Sequence, residues 1–207
     1  MMRLADYLLK NYGASSRIKN LVDNLEVWIN PLANPDGTYR PGDYISSPTR
    51  GNANGVDLNR NFPDPNLPGA VQQKENIDMI KFMRSHNFVL SANFHAGVEV
   101  VNYPWDRWER RHADDEWFNH ISRKYADTVH LHAPATYMDF MENGVTNGWD
   151  WYYIYGGRQD FMTWELQGRE VTIELDNIKE TPASNLNLLW EYNWRSLLGY
   201  IENAMYG

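Results

Sequence analysis

The sequence predicts an α/β fold, and three observations lead there. Short apolar runs suited to buried strands (88–94, 98–101 and VTIEL at 171–175) alternate with stripes at helical spacing, such as Ile77, Ile80, Met83 and Trp117, Phe118, Ile121, Tyr125. The composition, 43% apolar and 22% charged over 207 residues, is enough for one substantial core. No internal repeat or interdomain linker divides the chain, so residues 1–207 are expected to form a single domain.

Taken in order, the chain opens with Met2, Leu4, Ala5, Leu8, Leu9 and Tyr12 at helical spacing, with Gly13 as the expected C-cap. No capping residue precedes the stripe, which predicts a frayed helix or the remainder of a longer one. A short helical or irregular stretch is expected at 18–22. LEVWIN (25–30) reads as a strand, because aromatic and branched side chains suit a pleated surface. Residues 31–70, dense in Pro, Gly, Asn and Asp, form a long connection of the kind that carries function or disorder. A helix containing Val71, Ile77, Ile80 and Met83 follows, then strands at 88–94 and 98–101 and a helix along 117–125. Residues 132–168 are aromatic, Gly-rich and Asn-rich without clear periodicity. VTIEL is the last strand, and a helix starting near 182–185 closes the chain with Leu186, Leu189, Trp194, Leu197, Leu198 and Ile201 on its buried face.

Composition also excludes function classes. With 19 Lys plus Arg against 27 Asp plus Glu, the formal charge is −8, which argues against binding a phosphate backbone; nucleic acid is not an expected partner. There is no cysteine, so disulfides, thiolate metal sites and Cys nucleophiles are excluded, and any metal must be held by His, Asp or Glu. No apolar run reaches the about 18 residues of a membrane span, and no signal peptide or lipidation pattern is present, so no membrane association is expected. The nine Trp and thirteen Tyr suit an apolar core plus an aromatic-lined cleft, with carbohydrate binding as an alternative use.

Several side chains fit chemistry better than packing. His95 follows an apolar strand, where α/β enzymes present functional groups, although a lone imidazole also satisfies an ordinary polar junction. Glu174 shares its strand face with Thr172, among apolar neighbours. A carboxylate so placed is ion-paired, hydrogen-bonded or shifted in pKa, which suits either a general base or a structural ion pair. Arg50 and Arg60, with Asp57 nearby, could together receive an anion, since guanidinium forks match carboxylates. Tyr152 stands shortly before Gly156–Gly157, in a stretch compatible with a loop that closes over a ligand or with simple packing. Asp106 could receive a cation if it faces a pocket; an exposed turn carboxylate is the alternative. His130 and His132 are too closely spaced to identify a metal site.

The segments INPLANPDG (29–37), NANGVDLNRNFPD (52–64), NFHAGVEVVNYPWD (93–106), NGWDWYYIYGGRQDF (147–161) and VTIEL (171–175) resemble, in order, the zinc metallocarboxypeptidases. The branch containing carboxypeptidases D, E, M and N is the most similar. The resemblance covers nearly the whole chain, including the closing helix. It implies a mixed β-sheet flanked by helices and lacking the N-terminal strands, hence a partial peptidase catalytic domain over 1–207. It also implies a Zn2+-dependent exopeptidase that takes a peptide with a free C-terminus and releases C-terminal residues, Lys or Arg preferred. The full-length precursor would be secreted or periplasmic.

Carried over residue by residue, His95 looks like a zinc ligand and Glu174 like the general base. Arg50 looks like the group facing the scissile carbonyl, Asn59 and Arg60 like the clamp on the terminal carboxylate, and Tyr152 like the mobile tyrosine. Asp106 is similar to the acidic determinant of basic specificity, and Gln159 also fits that branch. Two departures stand out. The upstream His-x-x-Glu motif that supplies the family's other two zinc ligands is not found in the chain, so weak metal binding and inactivity are expected of these residues alone. Glu99 stands where the branch often carries an apolar residue. Two alternatives keep much of this pattern: an amidohydrolase acting on cell-wall peptides or acyl-amino acids, and a non-catalytic module that binds peptide C-termini.

Overall fold

The computed structural model describes residues 1–40, 42–45 and 47–206. Helix α1 (Met2–Asn11) starts without a side-chain cap, whereas in α2 (Ser16–Asn24) the Ser15 hydroxyl accepts from the Ile18 N–H. A cap of that kind stabilises a helix by about 1 kcal/mol. The long connection that follows holds one capped turn, α3 (Pro35–Thr38), and a 3-10 turn at Leu58–Arg60. Then come α4 (Lys74–Arg84), β1 (Leu90–His95), β2 (Val98–Tyr103) and α5 (Asp115–His130). The aromatic region without clear periodicity resolves into short elements: α6 (Phe140–Asn143), β3 (Val145–Asn147), α7 (Gly148–Trp151) and α8 (Arg158–Glu165). Strand β4 (Arg169–Asp176) and helix α9 (Leu186–Tyr206) complete the chain.

The strands form one mixed sheet in the order β1-β4-β2-β3, with β1/β4 and β2/β3 parallel and β2/β4 antiparallel. Register decides the two faces, because residues paired across a ladder project to the same side. One face presents Val171 and Ile173 of β4, Val101 and Tyr103 of β2 and Val145 of β3. These pack with Phe118, Ile121, Tyr125 and Val129 of α5 and with Leu197 and Tyr200 of α9 into the main core. Phe118 is fully buried there, a contribution of about 1.5–3 kcal/mol. The opposite face is polar: Ser91, Asn93 and His95 of β1 pair with Glu170, Thr172 and Glu174 of β4, and Asn102 of β2 lies beside Thr172. Leu4, Leu8, Ile18 and Leu21 seat α1 and α2 against Leu198 of α9, and a third cluster joins Ile80 and Met83 of α4 to Phe161 and Met162 of α8.

Four expectations need correction. Residues 25–30 have the side-chain pattern of a strand, with Leu25, Val27 and Ile29 packed against the α1–α2 cluster, but no neighbouring strand pairs with them among the described residues. Alternation alone does not make a strand; the backbone needs a partner ladder. Trp28, on the other side of that segment, meets Phe82 and His86 edge-on. Leu186 opens α9 half-exposed, and Val71 precedes α4 at 82% exposure, because each apolar stripe runs past the face that the helix buries. In α1 only Leu4 and Leu8 of the predicted stripe are buried in the core. Gly13 is not the left-handed cap expected of it: Tyr12 caps α1 in the right-handed region. Among the described residues no helix is long and apolar enough to cross a membrane.

Candidate active site

The polar sheet face organises the candidate residues. His95 and Glu174 are cross-strand partners at the C-terminal end of β1 and near that of β4. Glu174 is 8% exposed, and its Oε2 has no hydrogen-bond partner among the described residues. Burial raises its pKa to about 7; Arg50 opposes that shift and Asp106 adds to it. Burial lowers the pKa of His95 to about 4, with Arg50, Arg60 and Arg158 adding and Asp57 opposing. The imidazole is therefore neutral near pH 7, the form that coordinates a metal.

The loop between α3 and α4 brings the guanidinium and amide groups to this face. Asp57 orders it from two sides: Oδ1 accepts from the Asn59 N–H at 2.9 Å, and Oδ2 accepts from Nε of Arg50 at 2.6 Å. Asn59 then bridges two parts of the site. Its Oδ1 accepts from the backbone N–H of Arg158 at 2.8 Å, and its Nδ2 lies 3.4 Å from Nε2 of His95. Arg60 lies next to it, its Nη1 donating to the Asn59 carbonyl at 2.8 Å. Gly156, at φ +68°, comes so close to the Arg60 carbonyl that a Cβ would collide with it, and its carbonyl accepts from the Phe62 N–H at 3.0 Å. A glycine is required there both for the left-handed backbone and for the approach.

Asp106 is buried at 4% exposure. Its Oδ1 accepts from Nδ2 of Asn102 at 2.8 Å and from Nε2 of Gln159 at 3.0 Å, so the exposed-turn alternative is overturned for Asp106. Burial raises its pKa to about 6; the Asn102 hydrogen bond and Arg60 oppose the shift, and Glu170 adds to it. Gly148 passes so close to this carboxylate that any side chain there would strike it. Beneath, Arg107 is buried between Asp64, at 3.1 Å, and Asp160, at 3.9 Å, with the Trp108 ring 3.7 Å from its guanidinium carbon. That cluster fixes the turn carrying Asp106, since Asp160 also accepts from the backbone N–H groups of Asp106 and Arg107.

Thus the structure brings Arg50, Asn59, Arg60, His95 and Glu174 to one end of the sheet and sets Asp106 with Gln159 beside the same polar face. Tyr152 is not drawn in: it is 46% exposed, and its ring lies edge-on to Trp151. Glu99 is also apart. It projects from the apolar face, and its Oε2 accepts from the Met138 N–H at 3.0 Å, holding a loop and not a ligand. Sequence reasoning passed over Asp57 as an organiser, and over Asn102, Arg158 and Glu170. The period-2 alternation Glu170, Thr172, Glu174 was the available signal for the last of these.

The resemblance implies zinc, and the donor set answers directly. Among the described residues no group of three or more His, Asp or Glu converges as a metal site, and His95 is accompanied by three arginines. One imidazole in that setting does not fit a catalytic zinc, which takes three protein ligands. Binding, orientation and proton transfer are chemistry that these residues can themselves supply.

The family model described as zinc carboxypeptidase matches residues 1–196. Human carboxypeptidase D is 36% identical over 222 residues, covering 100% of this chain and 16% of that protein; mouse carboxypeptidase M is 33% identical over 223 residues, covering 100% and 50%. The chain thus spans half or less of these two relatives. Among solved structures, that of thrombin activatable fibrinolysis inhibitor superposes with a TM-score of 0.77 at 18% identity, over 98% of this chain and 57% of that one, a likeness of fold. On the strength of the family match and of relatives above 30% identity along its whole length, the chain belongs to the zinc carboxypeptidase family.

Proposed function

We propose that this chain forms the substrate-recognition and general-base portion of an exopeptidase that releases C-terminal residues, Lys or Arg preferred, from peptides with a free C-terminus. The observation that carries the proposal is that Asn59 bridges from His95 to the backbone of Arg158, next to Gln159 and its bond to the buried Asp106, with Arg60 bonded beside it. In this reading Asn59 and Arg60 hold the terminal carboxylate, which confines attack to the last peptide bond. Asp106, with Gln159, receives the basic side chain. Arg50 faces the carbonyl and stabilises its developing negative charge. Glu174, with its pKa near neutrality, takes a proton from the attacking water and passes it to the leaving amine. Tyr152 closes over the bound peptide by a loop movement. The secreted or periplasmic setting belongs to the same proposal and rests on the resemblance.

A second reading is favoured by the donor set around His95: a module that binds peptide C-termini without cutting them. Titration of the chain with a peptide ending in Lys, its C-terminal amide and the same peptide ending in Leu tests the recognition shared by both readings. Binding is expected to fall about tenfold or more on amidation, the scale of a lost charge-assisted hydrogen bond. Equal affinity of acid and amide would remove the clamp from Asn59 and Arg60. Because His95 alone does not complete a zinc site, this chain is expected to leave the peptide intact under both readings. Product analysis with a longer chain that supplies the remaining ligands separates them, release of free lysine supporting the exopeptidase and an intact peptide the binding module.

A further inference from the structure

The polar sheet face holds an ion pair that the roles above do not use. Arg158 opens α8, directly before Gln159, and its Nη2 reaches back to the sheet. There it lies 3.1 Å from Oγ of Ser91 on β1 and 3.2 Å from Oε2 of Glu170 on β4. Ser91 donates its hydroxyl to the same Glu170 oxygen at 2.5 Å. A guanidinium supplied by the protein itself thus fills this part of the face. Its backbone N–H meanwhile holds the clamp residue Asn59, so the pair is tied to the recognition site.

Around this pair, buried acceptors remain without donors. Glu170 is 0% exposed and Gln159 1%, and neither Oε1 has a partner among the described residues; the same is true of Oδ1 of Asn102, at 6%. Asn102 and Gln159 both turn their amide N–H groups onto Oδ1 of Asp106, which leaves their carbonyl oxygens bare. Buried acceptors are normally satisfied, so such a set marks a place where a ligand supplies donors. The three bare acceptors come from β2, α8 and β4, and two of them belong to side chains bonded to Asp106 in the turn after β2. Acceptors gathered from separate segments suit a compact ammonium with three donors, whereas a planar fork wants two coplanar acceptors on one group.

We propose that the side-chain site beside Asp106 selects a C-terminal lysine over arginine, with Arg158 as the specificity-determining residue, because Arg158 already places a guanidinium cation on Ser91 and Glu170 through Nη2. This rests on the basic-side-chain reading of Asp106 and narrows it. The test is equilibrium binding to the 207-residue chain, followed by NMR titration with Nα-acetyl-lysine, Nα-acetyl-arginine and Nα-acetyl-norleucine, none of which requires catalysis. Lysine is expected to bind about fivefold or more tighter than arginine, and both tighter than norleucine, consistent with the different geometries of the two cations. Arg158→Met is expected to erase that ratio. Arg158→Lys keeps a cation over Glu170 while removing the fork, so it is expected to narrow the ratio in a folded protein, checked by circular dichroism. If neither basic ligand exceeds norleucine, the basic-pocket reading fails and this inference with it. If both exceed norleucine but arginine equals or beats lysine, or if Arg158→Lys leaves the ratio unmoved, the role of Arg158 alone is overturned.

Discussion

Gln159 donates its amide to the buried carboxylate of Asp106 at 3.0 Å, linking α8 to the turn after β2 across 53 residues of sequence. That bond lets an acid sit out of water next to Asp160, and it makes the ionisation of Asp106 the quantity to measure. Burial and Glu170 raise its pKa to about 6, while Asn102 and Arg60 pull it down. The proton is lost as pH rises, so affinity for Nα-acetyl-lysine is expected to increase between pH 5 and 7 with a midpoint near 6. Asp106→Asn should flatten that profile and lower affinity at pH 7 by about tenfold, the scale of one charge-assisted contact. Stability runs the opposite way: a folded pKa above the unfolded value favours the folded state at low pH and loses that advantage as pH rises through 6. Urea midpoints of wild type and Asp106→Asn at pH 4.5 and 7 check the sign, the variant being relatively more stable at pH 7.

Arg107 carries a second prediction, about folding. It is buried between Asp64 and Asp160 and stacked on Trp108. Arg107→Met fills the volume but strands two buried carboxylates, and the expected loss is about 3–5 kcal/mol. Adding Asp160→Asn should restore part of it. Chemical denaturation of the single and double variants gives the answer, and an additive outcome would show that the two groups do not interact.

Metal binding gives the third. With His95 as the sole imidazole at the site among the described residues, zinc retained after gel filtration is expected to be well below one per chain, and His95→Ala should lower it further. Elemental analysis checks this; stoichiometric zinc in the wild type would mean that donors other than those brought together here complete the site.

Glu99 separates the two faces of the sheet experimentally. Because it lies on the apolar side and accepts from Met138, Glu99→Gln should leave the lysine-to-norleucine binding ratio unchanged. Burial raises its pKa, so the neutral glutamine is expected to hold or slightly raise the melting temperature at pH 7. A changed ratio would place Glu99 in communication with the pocket.

Much of the site was legible because its residues follow local rules. VTIEL shows Glu174 on a strand, and the apolar run before His95 places that residue at a strand end. Asp106 was harder: nothing in NYPWD tells that Asn102, Gln159 and Asp160 close around it, since two of those partners lie more than 50 residues away. Arg158 hid in plain view, because a helix-opening arginine normally faces solvent and only the sheet register brings Ser91 and Glu170 under it. Residues 25–30 misled in the opposite direction. Their pattern is that of a strand, and pairing is a property of two segments, never of one.

Among the described residues the strand order leaves β1 bonded on one side only, and its residues are mostly half-buried where those of β4 are mostly buried. Along such a strand, successive amides face alternately toward the neighbour and away from it. In deuterated water β1 should therefore show two clocks: residues bonded to β4 labelling slowly, and those between them labelling at rates close to those of loops. The strand that presents His95 is thus held along the rail it shares with β4, where Glu174 is the partner of His95 in the register.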